Sequence, residues 1–420
     1  MNSRSRKAPT HLSVEAQRRL AYFGERRSEI VSTIRELVEI ESPSDNKAAV
    51  DRIAEVVAHK FSQLGGEVRF HSVKDFGGHL QVNFGGKSAK PVLLLGHYDT
   101  VYPLGTLATM PCRVVDNKLT GPGVLDMKSG IALMLHALAG LQEWHGKDRD
   151  RRLPRPVTVL LVSDEEIGSA SSRAITESLA QKAGAVLVLE PSYRRQGAVK
   201  TARKGVGEYL VKVTGKASHA GLDFQKGVNA ILELARQIEK ISSFTDLKKG
   251  LTVNVGIVAG GSRTNVVPAE AAAQIDVRIA RMKDAAGIDK KMRGLHPFNR
   301  KCKIEITGGI NRPPMERTAG VAALYAQAAA IARELGWKLG EAAVGGGSDG
   351  NFTASLGIPT LDGLGGVGDG AHATHEHILI SELPRRAALI AGLIEAVGSK
   401  QLDLGGRIRG SRHSLTCGSN

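Results

Sequence analysis

Three short apolar runs in this sequence each end on side chains able to bind a metal ion. PVLLLG (91–96) leads into His97-Tyr98-Asp99, VTVLLVS (157–163) leads into Asp164-Glu165-Glu166, and AVLVLE (185–190) ends on Glu190. Two further candidates stand apart: Asp126 in GPGVLDMKSG and His372 in GDGAHATHEH. Two histidines and three carboxylates, from His97, His372, Asp126, Glu190 and one of Glu165 and Glu166, make a nitrogen/oxygen donor set without cysteine. Zinc accepts such a set, and a catalytic zinc site keeps one position open for water. Two metal ions bridged by one carboxylate lie roughly 3.5–4 Å apart and can hold a hydroxide between them. In His97-x-Asp99 the carboxylate can accept the second imidazole N–H and fix the ring. Adjacent Glu165 and Glu166 can divide the work, one binding metal and the other moving protons.

Each residue alone also has an ordinary reading. Glu165-Glu166 suits a helix N-terminus facing its dipole, Asp126 an N-cap, Glu190-Pro191 a plain strand exit, and His97 a satisfied polar residue. Their placement at successive strand ends speaks against those readings, because open α/β sheets bind ligands beyond the carboxyl ends of their strands. His136, inside an apolar helix, reads as structural. His375 and His377 crowd His372 and leave the choice of imidazole open at this level.

The elements that must position these groups follow from the pattern. Continuous apolar runs suit strands buried on both faces of a parallel sheet. Between the first two runs lies KSGIALMLHALAGLQEW, in which Ile131, Met134, Leu135, Leu138 and Leu141 recur at helical spacing. Strand, helix, strand is the unit expected, with helices covering the sheet. Residues 13–40 read as helical and charged. Near residue 205 the style changes to alternating strands with one clearly amphipathic helix, and near 313 the first style returns with a helix at 317–335, Gly-rich GGGSDGN, a strand IPTLDG and a helix at 381–398. The expectation is an α/β catalytic domain over 1–205 and 312–420, with a mostly parallel sheet, interrupted by a smaller α+β domain over 206–311. The tail 403–420 reads as disordered.

Composition bounds the function. The 420 residues are 42% hydrophobic, include 49 Gly and are only 4% aromatic, which suits an α/β fold of two domains. Cys112, Cys302 and Cys417 show no paired short spacing, against a disulfide framework or thiolate zinc site. The N-terminus lacks a signal-peptide core and no stretch reads as the roughly 18 apolar residues of a membrane span, so a soluble cytoplasmic protein without a membrane partner is expected. The net charge of +15 comes from scattered Lys and Arg, with a short cluster at Arg149–Arg155. Aromatic side chains do not interleave with them, which argues against nucleic acid as partner and for solubility or attraction of an anionic small molecule.

LLLGHYDTVYPLGT, GPGVLDMKSG, SDEEIGS, LEPS, GKASHAG, NVVPA, NRPPM, GGGSDGN and the His372-x-x-x-Glu376 motif, in this order over residues 90–395, resemble the zinc metallopeptidase family of glutamate carboxypeptidase, acetylornithine deacetylase, succinyl-diaminopimelate desuccinylase and aminoacylase. VYPLGT and LEPS bring the sequence nearest to the glutamate carboxypeptidase branch. The resemblance implies that Asp126 bridges two zinc ions, for which cobalt or manganese may substitute, and is followed by a cis peptide bond. It implies that His97 and Glu190 complete one metal, and Glu166 and His372 the other. Glu165 becomes the general base and Asp99 the group orienting His97. His219 is expected to stabilise the oxyanion in the active site of the other subunit, and Asn265 and Arg312 to hold the substrate, Arg312 on its free carboxylate. The inserted domain, ferredoxin-like in this family, implies a homodimer. The reaction implied is cleavage of the amide bond of a peptide or N-acyl amino acid next to a free carboxylate. The alternatives are an N-acyl amino acid deacetylase and a metal-binding homologue without catalysis; the presence of Glu165 speaks against the second.

Overall fold

The computed structural model describes residues 12–85, 90–145 and 153–397. The 403–420 tail, Cys417 and most of the Arg149–Arg155 cluster lie outside them. A six-stranded sheet runs in the order Glu67–His71, His79–Phe84, Val157–Val162, Val92–His97, Ala185–Val188, Thr360–Leu361. The last four are mutually parallel, and His79–Phe84 runs against them. The three apolar runs are thus adjacent strands, in the spatial order 157, 92, 185.

Their continuous hydrophobicity has a direct cause. Val92 and Leu94 pack into a core under the helices Ser129–His145 and Leu383–Ala396. Leu93 and Leu95, one residue out of phase, pack with Ala180 from the helix Arg173–Lys182. Both faces of the strand are covered, so neither alternate position can be polar. The helical set Ile131, Met134, Leu135, Leu138 and Leu141 is buried throughout. Val124–His145 is the one segment among the described residues long and apolar enough to cross a membrane, which corrects the expectation that no stretch qualifies. In this fold 83% of its apolar window is buried in the protein.

The structure refines other expectations. The charged stretch read as one helix is two, Val14–Glu25 and Arg27–Val38, separated at Arg26. IPTLDG contributes only the two-residue strand Thr360–Leu361. The helix Lys47–Gln63, capped by the Asn46 side chain on the Ala49 N–H, and the antiparallel pair Glu67–His71 and His79–Phe84 extend the sheet on the other side.

A second, fully antiparallel sheet contains Thr252–Gly260, Glu270–Ile279, Gly205–Thr214 and Lys303–Arg312, in that spatial order. The helices Ala230–Ser242 and Ala285–Arg293 cover one face. Its core, including Tyr209, Val211, Leu234, Ile241, Ile275 and Met292, shares no buried residue with the first. Burial alternates strictly along Gly205–Thr214, the signature of a sheet with one covered face.

Candidate metal centre

The parallel strands end together, and that edge gathers the metal-competent side chains. His97 is the last residue of its strand and is buried. Its Nε2 lies 3.2 Å from Asp126 Oδ1 and 3.4 Å from Glu190 Oε1. His372 Nε2 lies 3.5 Å from Asp126 Oδ2 and 3.2 Å from Glu166 Oε2. Asp126 therefore stands between two histidines with one oxygen toward each, and each histidine has its own glutamate. That is a donor set for metal on both sides of a shared carboxylate. One oxygen of Glu166, Oε1, is buried without a hydrogen-bond partner, as expected of an atom whose partner is a cation. The side chains fit a metal site.

The electrostatics agree. Burial alone would push His97 down, but Asp126, Asp99 and Glu190 outweigh it and hold its pKa well above the usual imidazole range. Hydrogen bonds to Asp126 and Glu166 raise His372 to about 10. The two histidines in turn hold the largely buried Asp126 well below the usual carboxylate range, against its desolvation. So concentrated a group of carboxylates is what a divalent cation would neutralise.

Asp99 orients two things at once. His97 Nδ1 lies 3.0 Å from the Asp99 carbonyl and 3.3 Å from its carboxylate. The same carboxylate accepts the backbone N–H groups of Glu165 and Glu166 and the Ser44 hydroxyl. The Glu165-Glu166 turn is thereby tied to the first strand and is not a helix N-terminus; the next helix begins at Arg173. Nor is Asp126 an N-cap: the helix begins only at Ser129, and both Asp126 carboxylate oxygens face histidines.

That loop is held by a residue for which the sequence suggested no role. Glu376 is fully buried and accepts the backbone N–H groups of Gly123, Leu125 and Asp126 and the Tyr102 hydroxyl. Burial first, against those donors, raises its pKa to about 7. The His372-x-x-x-Glu376 and VYPLGT motifs were the available signal. His372 itself occupies the left-handed region at φ 63°, a costly conformation for a non-glycine residue that fits a functional constraint. Of its neighbours, His375 is exposed, and His377 is buried with Nδ1 on the His375 carbonyl. The structure brings only His372 to the centre.

Glu165 lines the cavity beside this centre, which has a volume of about 460 Å³ and is also walled by Tyr193, Arg194, Lys200, Arg203 and Gly346. Glu165 lies within ligand reach of His97 and Glu190, but its Oε1 is 3.1 Å from Arg312. Burial raises its pKa well above the usual carboxylate range, with Arg312 pulling the other way. A carboxyl so placed is suited to a role in proton transfer.

Arg312 departs from expectation. Its guanidinium does not line the cavity but is buried on Glu165, Asp349, the Ser169 hydroxyl and the Glu165 carbonyl. The fork expected to grip a substrate carboxylate is closed on the protein's own acids. His219 and Asn265 also lie away from the cavity. Both are exposed on the second sheet's loops, joined by the Ala220 N–H to Asn265 carbonyl bond, with His219 Nδ1 accepting from Gly221 and Leu222. In one chain they do not meet the centre.

Residues 93–396 match the profile of peptidase family M20/M25/M40. The chain is 32% identical over 381 residues to carboxypeptidase G2 of Pseudomonas sp. (strain RS-16), covering 88% of this chain and 89% of that protein. A tripeptidase from Staphylococcus aureus is similar in structure at a TM-score of 0.73, with 25% identity over 88% of this chain and 98% of that one. A dinuclear metal binding peptidase of the M20 family from Bacillus subtilis shares the fold at a TM-score of 0.65 and 15% identity, over 89% and 99% of the two chains. The chain belongs to the M20/M25/M40 peptidase family and is a metal-dependent hydrolase.

Proposed function

We propose that this member of the family is a dinuclear zinc hydrolase that cleaves the amide bond of a peptide or N-acyl amino acid next to a free carboxylate, as a carboxypeptidase does. The observation that carries the reading is Asp126, whose two oxygens face His97 and His372 separately, each imidazole backed by its own glutamate. Asp126 would bridge, His97 and Glu190 would hold one ion, and Glu166 and His372 the other. Bound there, the ions supply Lewis-acid polarisation of the scissile carbonyl and activation of water.

The rest falls to the chain's own side chains. Glu165 takes the proton of the attacking water and delivers it to the leaving nitrogen. Arg312 and Asp349 keep its carboxyl aimed, and Asp99 and Glu376 fix His97 and the Asp126 loop. Residues 206–311 serve as a dimerisation and lid domain, with His219 and Asn265 reaching the partner's centre to stabilise the oxyanion and hold substrate. Exposed Leu222, Phe224, Ile257 and Val258, the last two on the edge strand Thr252–Gly260, support a second copy covering this face.

The test is metal analysis with turnover. Gently purified protein should carry close to two zinc ions per chain and hydrolyse N-acetyl-glutamate or dipeptides ending in glutamate. Chelation should abolish the activity and zinc, cobalt or manganese restore it. One tightly held metal with no second taken up on titration would refute the bridge.

A further inference from the structure

One cation on the cavity wall makes no direct hydrogen bond or ion pair among the described residues. Arg203 is spent: its guanidinium binds Asp362 through two nitrogens, reaches Glu190 at 3.4 Å and donates to the Gly346 and Gly347 carbonyls. Arg194 is exposed and lies over the Tyr193 ring. Lys200 is different. It is only 9% exposed and lines the cavity that also contains Asp126, Glu166 and His372. Among the described residues its ammonium makes no hydrogen bond or ion pair. Burial, then the Arg203 charge, push it below the ordinary range of a lysine, only partly opposed by the carboxylates of Asp362, Glu190 and Asp126.

Its position is fixed from the backbone outward. Lys200 lies in the strand Val199–Arg203, paired in parallel with Glu341–Val344. Its own N–H and carbonyl exchange hydrogen bonds with Asp362 at 2.7 and 3.2 Å. The side chain therefore cannot leave the cavity wall by a shift of the strand. An ammonium withdrawn from water without an acceptor is costly, and such a group is explained when a ligand supplies the acceptor.

We propose that Lys200 is a specificity-determining residue that binds a carboxylate of the substrate. The inference rests on the hydrolase reading above and deepens it. An ammonium offers three donors and no acceptor, so it selects an anion over an amide or hydroxyl. It also fills the role left open by Arg312, whose donors are already taken. The carboxylate has two possible sources, the one beside the scissile amide and the side chain of an acidic released residue.

The experiment is calorimetric titration of the zinc-loaded full-length protein with glutamate, glutamine and isoglutamine, in wild type, Lys200→Met and Lys200→Gln. Circular dichroism and metal content verify that the variants fold and load. Wild type should bind glutamate and discriminate against one of the two amides, glutamine if the side chain is bound and isoglutamine if the main-chain carboxylate is. Either variant should weaken glutamate by about 10- to 100-fold, the usual worth of a charge-assisted bond, and bind the disfavoured amide within about threefold of wild type. Equal losses on all three compounds, unchanged binding in the variants, or no binding of glutamate by wild type would each overturn the proposal. The hydrolase reading fails by a different sign: the N-acetyl derivatives of all three are left intact by zinc-loaded wild type, whatever the titrations show.

Discussion

Replacing Arg312 separates two accounts of that residue. In the structure its guanidinium holds Glu165 at 3.1 Å, also engages Asp349 and Ser169, and is 6% exposed. Arg312→Ala leaves the buried Asp349 and the largely buried Glu165 without their cation. Breaking a buried ion pair from one side costs about 3–5 kcal/mol, so the urea midpoint should fall markedly. The Glu165 carboxyl, already raised by burial, loses the charge that opposes the rise, keeps its proton more firmly and is no longer aimed. Turnover should then drop by roughly 10²–10⁴, the range for loss of a general base. That loss should be the same for N-acetyl-glutamate and its α-amide, because Arg312 does not line the cavity. Asp349→Asn made first should reduce the stability cost of Arg312→Ala, since the two share one interaction. The assay is kcat/KM on both substrates beside urea unfolding of all four proteins. A variant as stable as wild type that loses activity only on the free carboxylate would refute this reasoning and return Arg312 to the substrate.

Glu165→Gln should keep its metal content and lose about 10²–10⁴ of kcat, since only proton transfer is removed; a variant within threefold of wild type ends the general-base assignment. Mixing inactive His219→Ala with inactive Glu165→Ala should restore activity, because one centre of the mixed dimer pairs an intact Glu165 with the partner's intact imidazole; verified subunit exchange without activity excludes action across subunits. His136, whose Nε2 lies 3.0 Å from the Thr33 hydroxyl, is lowered to about 4 by burial and then by Lys60 and Arg26. Its folded pKa lies below its unfolded value, so its contribution to stability is complete above about pH 6.5 and is lost as pH falls toward 4, by up to about 2 kcal/mol at pH 5. Unfolding of wild type and His136→Gln at pH 7 and 5 should show the acid loss larger in wild type by that amount; parallel losses would show that His136 does not titrate this way.

The sequence by itself determined the local terms of this structure. Val92–His97, Val157–Val162 and Ala185–Val188 are legible because strands covered on both faces are apolar apart from Thr158 and the terminal His97, and the candidate site residues stand at or just beyond their ends because such strands end where the sheet opens. The helix Ser129–His145 is legible from its 3.6-residue period. The candidates His97, Asp126, Glu165, Glu166 and Glu190 were legible from their residue types and positions, while the preference for Glu166 and His372 as donors came only from the family the motifs resemble. The break at Arg26 is less legible, because it is marked only by Gly24 two residues earlier.

What only the tertiary structure decided is which polar group meets which. His372 is chosen over His375 and His377 because a left-handed turn aims it at Asp126. Glu376 holds the Asp126 loop from 250 positions away. Arg312 is closed on Glu165 and Asp349 while Lys200 is left open to the cavity, and nothing in NRPPM or KTARKG distinguishes a committed cation from a free one. Hydrophobic burial is a property each residue carries with it, so its pattern is written along the chain. Charge pairing depends on distances between residues far apart in sequence, and those exist only once the strands have packed.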